Sequence, residues 1–209
     1  MASWMKNKPK KGWTIKNSRP DEIVGNPLKY YTDEEVEKYA RSSAMRRAQE
    51  KIANRILELL NLPENSSLLD IGCGPGFTTN VYKNANLKTT CLDVTPKMVE
   101  KAKANGFDAH LGDMRDIQKI FPNKKFDSVV SASALQWLKS KEDIEQVAKG
   151  IHSVLDKRSP MIIQFYPKSE QELKQTAKTF VDNGFEGEII IDWPEIPKNK
   201  TFYLVMKKT

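Results

Sequence analysis

The sequence predicts an α/β protein whose open, mostly parallel sheet of seven strands has helices on both faces. From residue 67 onward, apolar strand-like runs alternate with amphipathic helical runs, a pattern typical of parallel strands joined by crossover helices. The last two runs, GEIIIDW and TFYLVMK, are both strand-like with no helical run between them. They predict an antiparallel pair that closes the sheet. A chain of 209 residues is long enough to bury the core of one such domain.

Residues 1–20 are predicted to form a basic arm. They contain six lysines and arginines and no acidic residue, so they account for +6 of the formal net charge of +7. Trp4 and Trp13 lie between these cations. Such an arm suits RNA, because cations neutralise phosphates and indoles stack on bases. A disordered, solubilising extension has the same composition, and composition alone leaves the two interpretations equal.

Residues 21–64 are predicted to be a helical cover that belongs to the same domain as the core, residues 65–209. The run from Thr32 to Glu35 has the form of a capping box that opens a helix to about Ala40. A second helix is expected from Met45, where apolar residues recur at helical spacing until Pro63 ends the run.

Five strands and four helices are expected in the core before the closing pair. The predicted strands are SLLDIG, KTTCLDV, FDAHL, FDSVVSAS and PMIIQFY, and the predicted helices begin at Phe77, Pro96 with Thr95 as N-cap, Asp143 and Glu170. Because the carboxyl ends of parallel strands meet at one edge, a ligand site is expected there.

Composition excludes several classes of protein. No stretch approaches the length of about 20 apolar residues that spans a bilayer, and the N-terminus lacks the apolar segment of a signal peptide. Cys73 and Cys91 lie in apolar runs and form no metal-binding spacing. We therefore expect no metal, no membrane and a reducing compartment: the cytoplasm, or the nucleus or nucleolus of a eukaryote.

The turn after the first core strand predicts the ligand. Asp70 is followed by Gly72, Cys73, Gly74 and Gly76 in GxGxG spacing, whereas dinucleotide-binding loops have GxGxxG. Glycines let a backbone approach a ligand closely. A carboxylate that points into the site would repel a pyrophosphate and suit an ammonium group, so Asp70 favours S-adenosylmethionine over a dinucleotide.

Two further acidic residues follow the next two strands. Asp93, with Val94 after it, is placed to accept hydrogen bonds from both ribose hydroxyls of a nucleoside. Asp113 is placed to accept from an adenine amino group, with Met114 packed on the ring. Either carboxylate alone has even odds of being a turn former or cap. Asp70, Asp93 and Asp113, however, stand at the ends of three successive predicted strands, and together they predict one ligand-binding edge.

These motifs resemble those of class I methyltransferases over residues 66–209. The chain is also similar, from Arg19 to Lys208, to the eukaryotic small-subunit (18S-type) ribosomal RNA guanine-N7 methyltransferase family. The strings that carry this likeness are YYTDEEVEKYARSSAMRRAQEKIANRILELL, SASALQWL, QFYPK and KNKTFYLV. One departure is that the basic arm here is N-terminal, whereas the family usually has a basic tail after its last strand.

The resemblance implies methyl transfer from S-adenosylmethionine to a guanine N7 of small-subunit ribosomal RNA or a pre-ribosome. It also implies a small zinc-binding activator protein at the sheet edge near Phe107–Leu111. The predicted cofactor-binding residues are Tyr39, Arg46, Asp70, Gly72, Cys73, Gly74, Gly76, Asp93, Val94, Asp113, Met114 and Ser131. The predicted substrate-binding residues are Gln136, Trp137, Tyr166, Arg41 and Arg47.

Some of these assignments have structural alternatives. Trp137 and Tyr166 are expected to stack on a base whose edge Gln136 contacts, but single aromatic residues more often belong to a core. Arg41 and Arg47 suit RNA phosphates or a solvated basic face. No acid or base is predicted, because guanine N7 has a free lone pair and no proton to lose. A small-molecule methyltransferase and a non-catalytic assembly factor stay open as alternative functions.

Overall fold

The fold is an eight-stranded mixed sheet between two layers of helices. In this computed structural model, residues 5, 6, 19–196 and 200–209 are described. The strands are β1 (Met5–Lys6), β2 (Ser67–Ile71), β3 (Lys88–Asp93), β4 (Asp108–Leu111), β5 (Ser128–Ala132), β6 (Pro160–Phe165), β7 (Phe185–Asp192) and β8 (Thr201–Lys208). Their order across the sheet is β1-β7-β8-β6-β5-β2-β3-β4.

The five central strands β2 to β6 run parallel, and β8 lies antiparallel between β6 and β7. The seven predicted strands, including the antiparallel closing pair, are thereby confirmed. The eighth strand comes from the basic arm, where β1 pairs in parallel with β7. The rest of the arm, residues 1–4 and 7–18, lies outside the described residues, and with it Trp4 and Trp13.

The helices connect the strands and supply the two outer layers. They are α1 (Pro20–Ile23), α2 (Pro27–Tyr30), α3 (Asp33–Arg41), α4 (Ser43–Leu60), α5 (Phe77–Asn84), α6 (Pro96–Ala104), α7 (Ile117–Ile120), α8 (Lys141–Val154) and α9 (Glu170–Asp182). Single 3₁₀ turns occupy Met114–Asp116 and Leu135–Trp137. The short helices α1, α2 and α7 have too few residues for a periodic pattern, which explains why the sequence did not predict them.

Alternation along each buried strand sends neighbouring side chains to opposite faces of the sheet. Leu69 and Ile71 of β2 join the core beneath α7, α8 and α9, while Leu68 joins the core beneath α4 and α5. Both faces of the central strands are therefore buried. This burial explains their nearly continuous apolar sequence.

The helical cover begins as the sequence predicts. The Thr32 hydroxyl accepts a hydrogen bond from the backbone N–H of Glu35 at 3.3 Å, which caps α3. The Ser42 hydroxyl caps α4 through the N–H of Met45 at 3.2 Å. Thr95 precedes α6 as expected, but its side chain makes no capping bond. Within the described residues, no helix is both long and apolar enough to cross a membrane.

Candidate functional site

A cavity of about 1190 Å³ opens at the carboxyl ends of the central strands. It lies where the strand order reverses between β5 and β2, the usual ligand position in open α/β sheets. Its walls come from the glycine turn, the ends of β3 and β5, the loop after β6 and the segment from Arg19 to Gln49. Pockets for one drug-sized ligand usually measure about 300–1,000 Å³, so this cavity has room for a donor and part of an acceptor.

The glycine turn needs glycine for steric reasons. Gly72 has φ +74°, and a Cβ built on it would lie 2.3 Å from Cβ of Ala134. Gly76 has φ +94°, and its Cβ would lie 2.3 Å from the ring of Phe107. Both residues fix how the turn packs against its neighbours. Gly74, by contrast, lines the cavity, and a Cβ on it would lie 4.0 Å from Sδ of Met98 without overlap. Its backbone is therefore accessible to a ligand.

Asp93 holds the turn and also faces the cavity. Its Oδ2 accepts from the N–H of Gly74 at 2.8 Å, and its Oδ1 accepts from the N–H of Thr95 at 2.8 Å. Burial raises the pKa of Asp93, although these backbone hydrogen bonds oppose the shift. Because each carboxylate oxygen has a second lone pair, Asp93 retains acceptor capacity toward ribose hydroxyls. The predicted ribose contact therefore fits the geometry.

Asp70 requires a correction. Its side chain is fully buried and is absent from the described cavity wall, so its carboxylate does not point into the site. Its Oδ2 accepts from the hydroxyls of Thr78 at 2.7 Å and Thr79 at 2.8 Å. The reason is its depth in the strand: Asp70 precedes the last residue of β2 and shares the buried face of Leu68, beneath α5. Burial raises its pKa to about 6.

Four more of the predicted donor-side residues lie at the cavity, whereas Gly76 is outside its described wall and its cofactor assignment is corrected. Cys73, Val94, Asp113 and Met114 all line it. Burial alone would raise the pKa of Asp113. Hydrogen bonds from Arg115 outweigh this effect and lower the pKa; one of them joins Nη2 of Arg115 to Oδ2 of Asp113 at 2.6 Å. Asp113 is therefore an ionised acceptor at neutral pH, as an adenine contact requires.

Ser131 is the second correction. It is buried, and its hydroxyl donates to the carbonyl of Ile71 at 2.8 Å, so it links β5 to β2 and lies outside the described cavity wall. Ser133, two residues later, lines the cavity instead and adopts φ +57°. The buried amide of Gln164 holds it, accepting from its N–H and its hydroxyl at 2.9 Å each.

Tyr39 lines the cavity, whereas the three predicted arginines do not. The Tyr39 ring stacks on the Phe77 ring with 5.7 Å between centroids, and burial raises the pKa of Tyr39 to about 12. The Arg46 guanidinium lies 4.9 Å from the Phe77 ring centroid, so it supports a wall residue and does not reach the donor site. This corrects its cofactor assignment. Arg41 and Arg47 are exposed on the surface, where contact with RNA phosphates stays a prediction.

The predicted substrate-side residues Gln136, Trp137 and Tyr166 all line the same cavity. The amide nitrogen of Gln136 donates to the carbonyl of Ser133 at 2.6 Å, which orients the side chain. Trp137 contacts the rings of Tyr30 and Tyr31 at 6.0 and 5.8 Å between centroids. Phe165, the residue before Tyr166, is a core residue.

Sequence reasoning missed the part of the wall between Arg19 and Tyr31. Asp21, only 3% exposed, pairs with Nε of Arg19 at 3.2 Å and with Lys139 at 3.0 Å. Arg19 also donates to the carbonyl of Tyr166 at 2.7 Å. These contacts hold the segment from Arg19 to Tyr31 against the loops after β5 and β6. The signal available in the sequence was the acidic pair Asp21 and Glu22 directly after the basic arm.

The sheet edge expected to bind a partner is open in the described structure. β4 pairs with β3 on one side and with no other described strand, and Leu111 at its end is 54% exposed. His110 lies on this strand with its Nε2 3.0 Å from Asp108, and His152 packs beside Phe185. Neither histidine belongs to the described wall of the cavity.

Comparison with known proteins identifies the chain. A family model described as a methyltransferase domain matches residues 69–163. The 18S rRNA (guanine-N(7))-methyltransferase of Bos taurus is 33% identical over 200 residues, which cover 90% of this chain and 71% of that protein. This chain belongs to the 18S rRNA (guanine-N(7))-methyltransferase family. The predicted family, its enzyme class and its methyl donor S-adenosylmethionine are thereby confirmed.

Two solved structures confirm the class I methyltransferase fold of this family member. Magnesium protoporphyrin IX methyltransferase from Synechocystis, crystallised with bound SAM, superposes with a TM-score of 0.65 at 17% identity and covers 94% of this chain and 100% of its own. The putative methyltransferase in a complex with the Haloferax volcanii Trm112 activator superposes with a TM-score of 0.63 at 17% identity. The match covers 83% of this chain and 97% of that methyltransferase chain.

Proposed function

We propose that this chain transfers the methyl group of S-adenosylmethionine to N7 of a guanine in small-subunit ribosomal RNA, in the free RNA or a pre-ribosome. The observation that supports this most directly is one continuous cavity with two chemically different ends. The glycine turn and Asp93 line one end, and Tyr30, Tyr31 and Trp137 line the other. The family membership supplies the acceptor, a guanine N7.

Donor binding is assigned to the turn and to two carboxylates. The backbone at Gly74 and the side chain of Cys73 would contact the methionine part, and Asp93 would accept from the ribose. Asp113 and Met114 would contact the adenine. When bound, S-adenosylmethionine supplies an electrophilic methyl group on a cationic sulfur.

The acceptor residues bind and orient a base, and they exclude water. Trp137 offers an aromatic face, and Gln136 offers an amide edge. Tyr166 offers a ring over which the Arg19 guanidinium lies, 5.7 Å from the centroid. A guanine N7 has no proton, so transfer requires alignment and desolvation without a general base. The positions of His110 and His152, away from the described cavity wall, agree with that chemistry.

A zinc-binding activator protein is the partner proposed for the β4 edge. The unpaired side of β4 offers backbone groups to an added strand, and exposed Leu111 offers apolar area beside it. The structural likeness to a methyltransferase in complex with the Trm112 activator supports this choice.

The decisive experiment is methylation of purified small ribosomal subunits with labelled S-adenosylmethionine, with and without the activator, followed by mapping of the labelled nucleotide. The subunits should come from a strain lacking this gene, so that the site is free. We expect one labelled guanine. Persistence of every N7-methylguanosine in the deletion strain would contradict the assignment.

A small-molecule acceptor is distinguished by the salt dependence of RNA affinity. An RNA enzyme should lose affinity steeply as salt rises, because neutralised phosphates release counterions. A role in assembly alone is distinguished by Asp93→Ala: ribosome maturation that continues after donor binding is lost would favour binding over catalysis.

A further inference from the structure

The acceptor end of the cavity is a cluster of three aromatic rings in mutual contact, which we name the aromatic cluster: Tyr30, Tyr31 and Trp137. Tyr30 and Tyr31 meet edge to face at 4.9 Å between centroids. Trp137 lies 6.0 Å from Tyr30 and 5.8 Å from Tyr31 in tilted orientations. All three border the open volume.

The cluster continues toward the donor end. Tyr31 contacts Tyr39 edge to face at 6.0 Å, and Tyr39 stacks on Phe77, the residue that follows the glycine turn. Ring faces of different orientation therefore line the passage between the two ends. A ring face has negative electrostatic potential and attracts a cation, most strongly where water is excluded.

Nearby charges also favour a cation at this end. Burial raises the pKa of Tyr31 above its ordinary value, and the negative charges of Asp93 and Asp21 add to the shift. Two cations of the cavity wall, Arg19 and Lys139, pair with Asp21, and Arg19 also pairs with Glu22. Each cation therefore has a carboxylate partner, which reduces its repulsion of a positively charged ligand.

We propose that the aromatic cluster is a binding site for the positively charged, N7-methylated purine, and that it stabilises this charge as it forms. The inference rests on the proposed function. In the transfer, the bond from the methyl carbon to sulfur breaks and its electron pair returns to sulfur. The N7 lone pair forms the new bond to carbon. No proton leaves, so one positive charge moves from sulfur to the purine.

Rings that attract the product cation more than the neutral guanine lower the barrier, because interactions that strengthen toward the transition state accelerate a reaction. Cation–π attraction is strongest in desolvated sites, and a tenfold difference in affinity corresponds to about 1.4 kcal/mol. The cluster should therefore favour a cationic purine over a neutral one of equal shape by roughly tenfold.

The test is calorimetric titration of the full chain, saturated with S-adenosylhomocysteine, with two nucleotides of matched shape. One is 7-methylguanosine 5′-monophosphate, whose ring is cationic while N1 keeps its proton, so the titration is run at mildly acidic pH. The other is 7-deaza-7-methylguanosine 5′-monophosphate, which has the same methyl group on a neutral ring. We expect the cation to bind roughly tenfold more tightly.

Three variants locate the effect. Tyr31→Leu and Trp137→Leu should reduce the affinity ratio toward one, whereas Tyr31→Phe, which keeps the ring, should preserve it. Trp193→Leu is the matched control: this tryptophan is 55% exposed, with Lys51 at 5.6 Å, outside the described cavity wall. It should leave the ratio unchanged. S-adenosylhomocysteine affinity checks that each variant is folded.

Equal affinities for the two nucleotides, no measurable binding of the cation, or a preference that survives both leucine substitutions would overturn the inference. Failure of the proposed function gives a different result. In that case the ribosomal subunits stay unlabelled while the preference for the cationic purine persists.

Discussion

The two ends of the cavity are built in different ways. The donor end depends on a short contiguous turn and on backbone hydrogen bonds, such as those from Gly74 and Thr95 to Asp93. The acceptor end is assembled from segments far apart in sequence, held by ion pairs of Asp21 and by ring contacts of Trp137. The difference predicts that donor binding depends on the turn and the sheet, whereas acceptor binding depends on the docking of a separate segment.

The largest effect is expected from Gly72→Ala at the donor end. The new Cβ would overlap Ala134, and φ +74° adds backbone strain. Gly106→Ala is the control, since φ is +77° there and its Cβ would meet nothing within 4 Å. Backbone strain should lower the free energy of unfolding of each variant by about 1–2 kcal/mol. Steric overlap with Ala134 should lower that of Gly72→Ala by about 1–3 kcal/mol more.

Donor binding separates this pair of variants further. Gly72→Ala should lose roughly a hundredfold in S-adenosylhomocysteine affinity, about 2.7 kcal/mol, measured by titration calorimetry. Gly106→Ala should bind normally. Equal losses in both variants would show that strain alone, and not close packing of the turn, determines donor affinity.

Asp93→Asn should weaken donor binding by about 2 kcal/mol, because a charge-assisted hydrogen bond contributes about 1.5–3 kcal/mol. Asp127→Asn is matched to it at the opposite edge of the sheet, where Asp127 accepts from the N–H of Ser67 at 2.7 Å. Urea unfolding should show a stability loss in both variants, while calorimetry should show weaker donor binding in Asp93→Asn alone.

Asp21→Asn tests the acceptor end. Asp21 is a buried carboxylate that pairs with Arg19 and Lys139. Removing its charge should weaken the docking of the segment from Arg19 to Tyr31 by about 1–2 kcal/mol. This value is kept low because Lys139 is partly exposed, so solvent screens its charge. The KM for ribosomal subunits should rise several-fold at unchanged donor affinity. A parallel loss of donor affinity would mean that the two ends are not independent.

The smallest effect is expected at Asp70, and it depends on pH. The folded-state pKa of about 6 exceeds the ordinary value of 3.8, so the folded chain binds more protons than the unfolded chain between these values. The contribution of Asp70 to stability therefore falls as pH rises through this range. Asp70→Asn should flatten that slope and gain about 1–2 kcal/mol above pH 6 relative to the native chain, measured by urea unfolding. An unchanged slope would contradict the assignment.

The sequence predicted the donor end well because its determinants are local. Glycine spacing, strand ends and the acidic residues after them can be read directly from the sequence, and Asp93, Asp113 and Met114 line the cavity, where their donor contacts stay a prediction. The misplacement of Asp70 and Ser131 has one cause, which is depth in the sheet. Each lies one residue before the end of its strand, whereas Asp93 is the last residue of β3 and reaches the cavity. The threonines at the start of α5 were the available signal for Asp70.

The acceptor end was predicted in part. Trp137 and Tyr166 were recognised by their position at strand ends and by family strings, but Tyr30, Tyr31 and Asp21 were not. Their place depends on tertiary contacts of a segment whose helices have four residues each, too short for any periodic signal. The strand β1 was missed for the same reason, since two residues have no pattern.

The contact of Arg19 with Tyr166 joins residues 147 positions apart, and the contact of Asp21 with Lys139 joins residues 118 apart. Long-range contacts are slow to form, because closing a long loop lowers the chain entropy before the contacts can stabilise the fold. During synthesis, the segment that covers the acceptor end is made early, yet its binding surface does not exist until β5 and β6 have folded. The cover is therefore among the first parts of the chain to be made and among the last to reach its place.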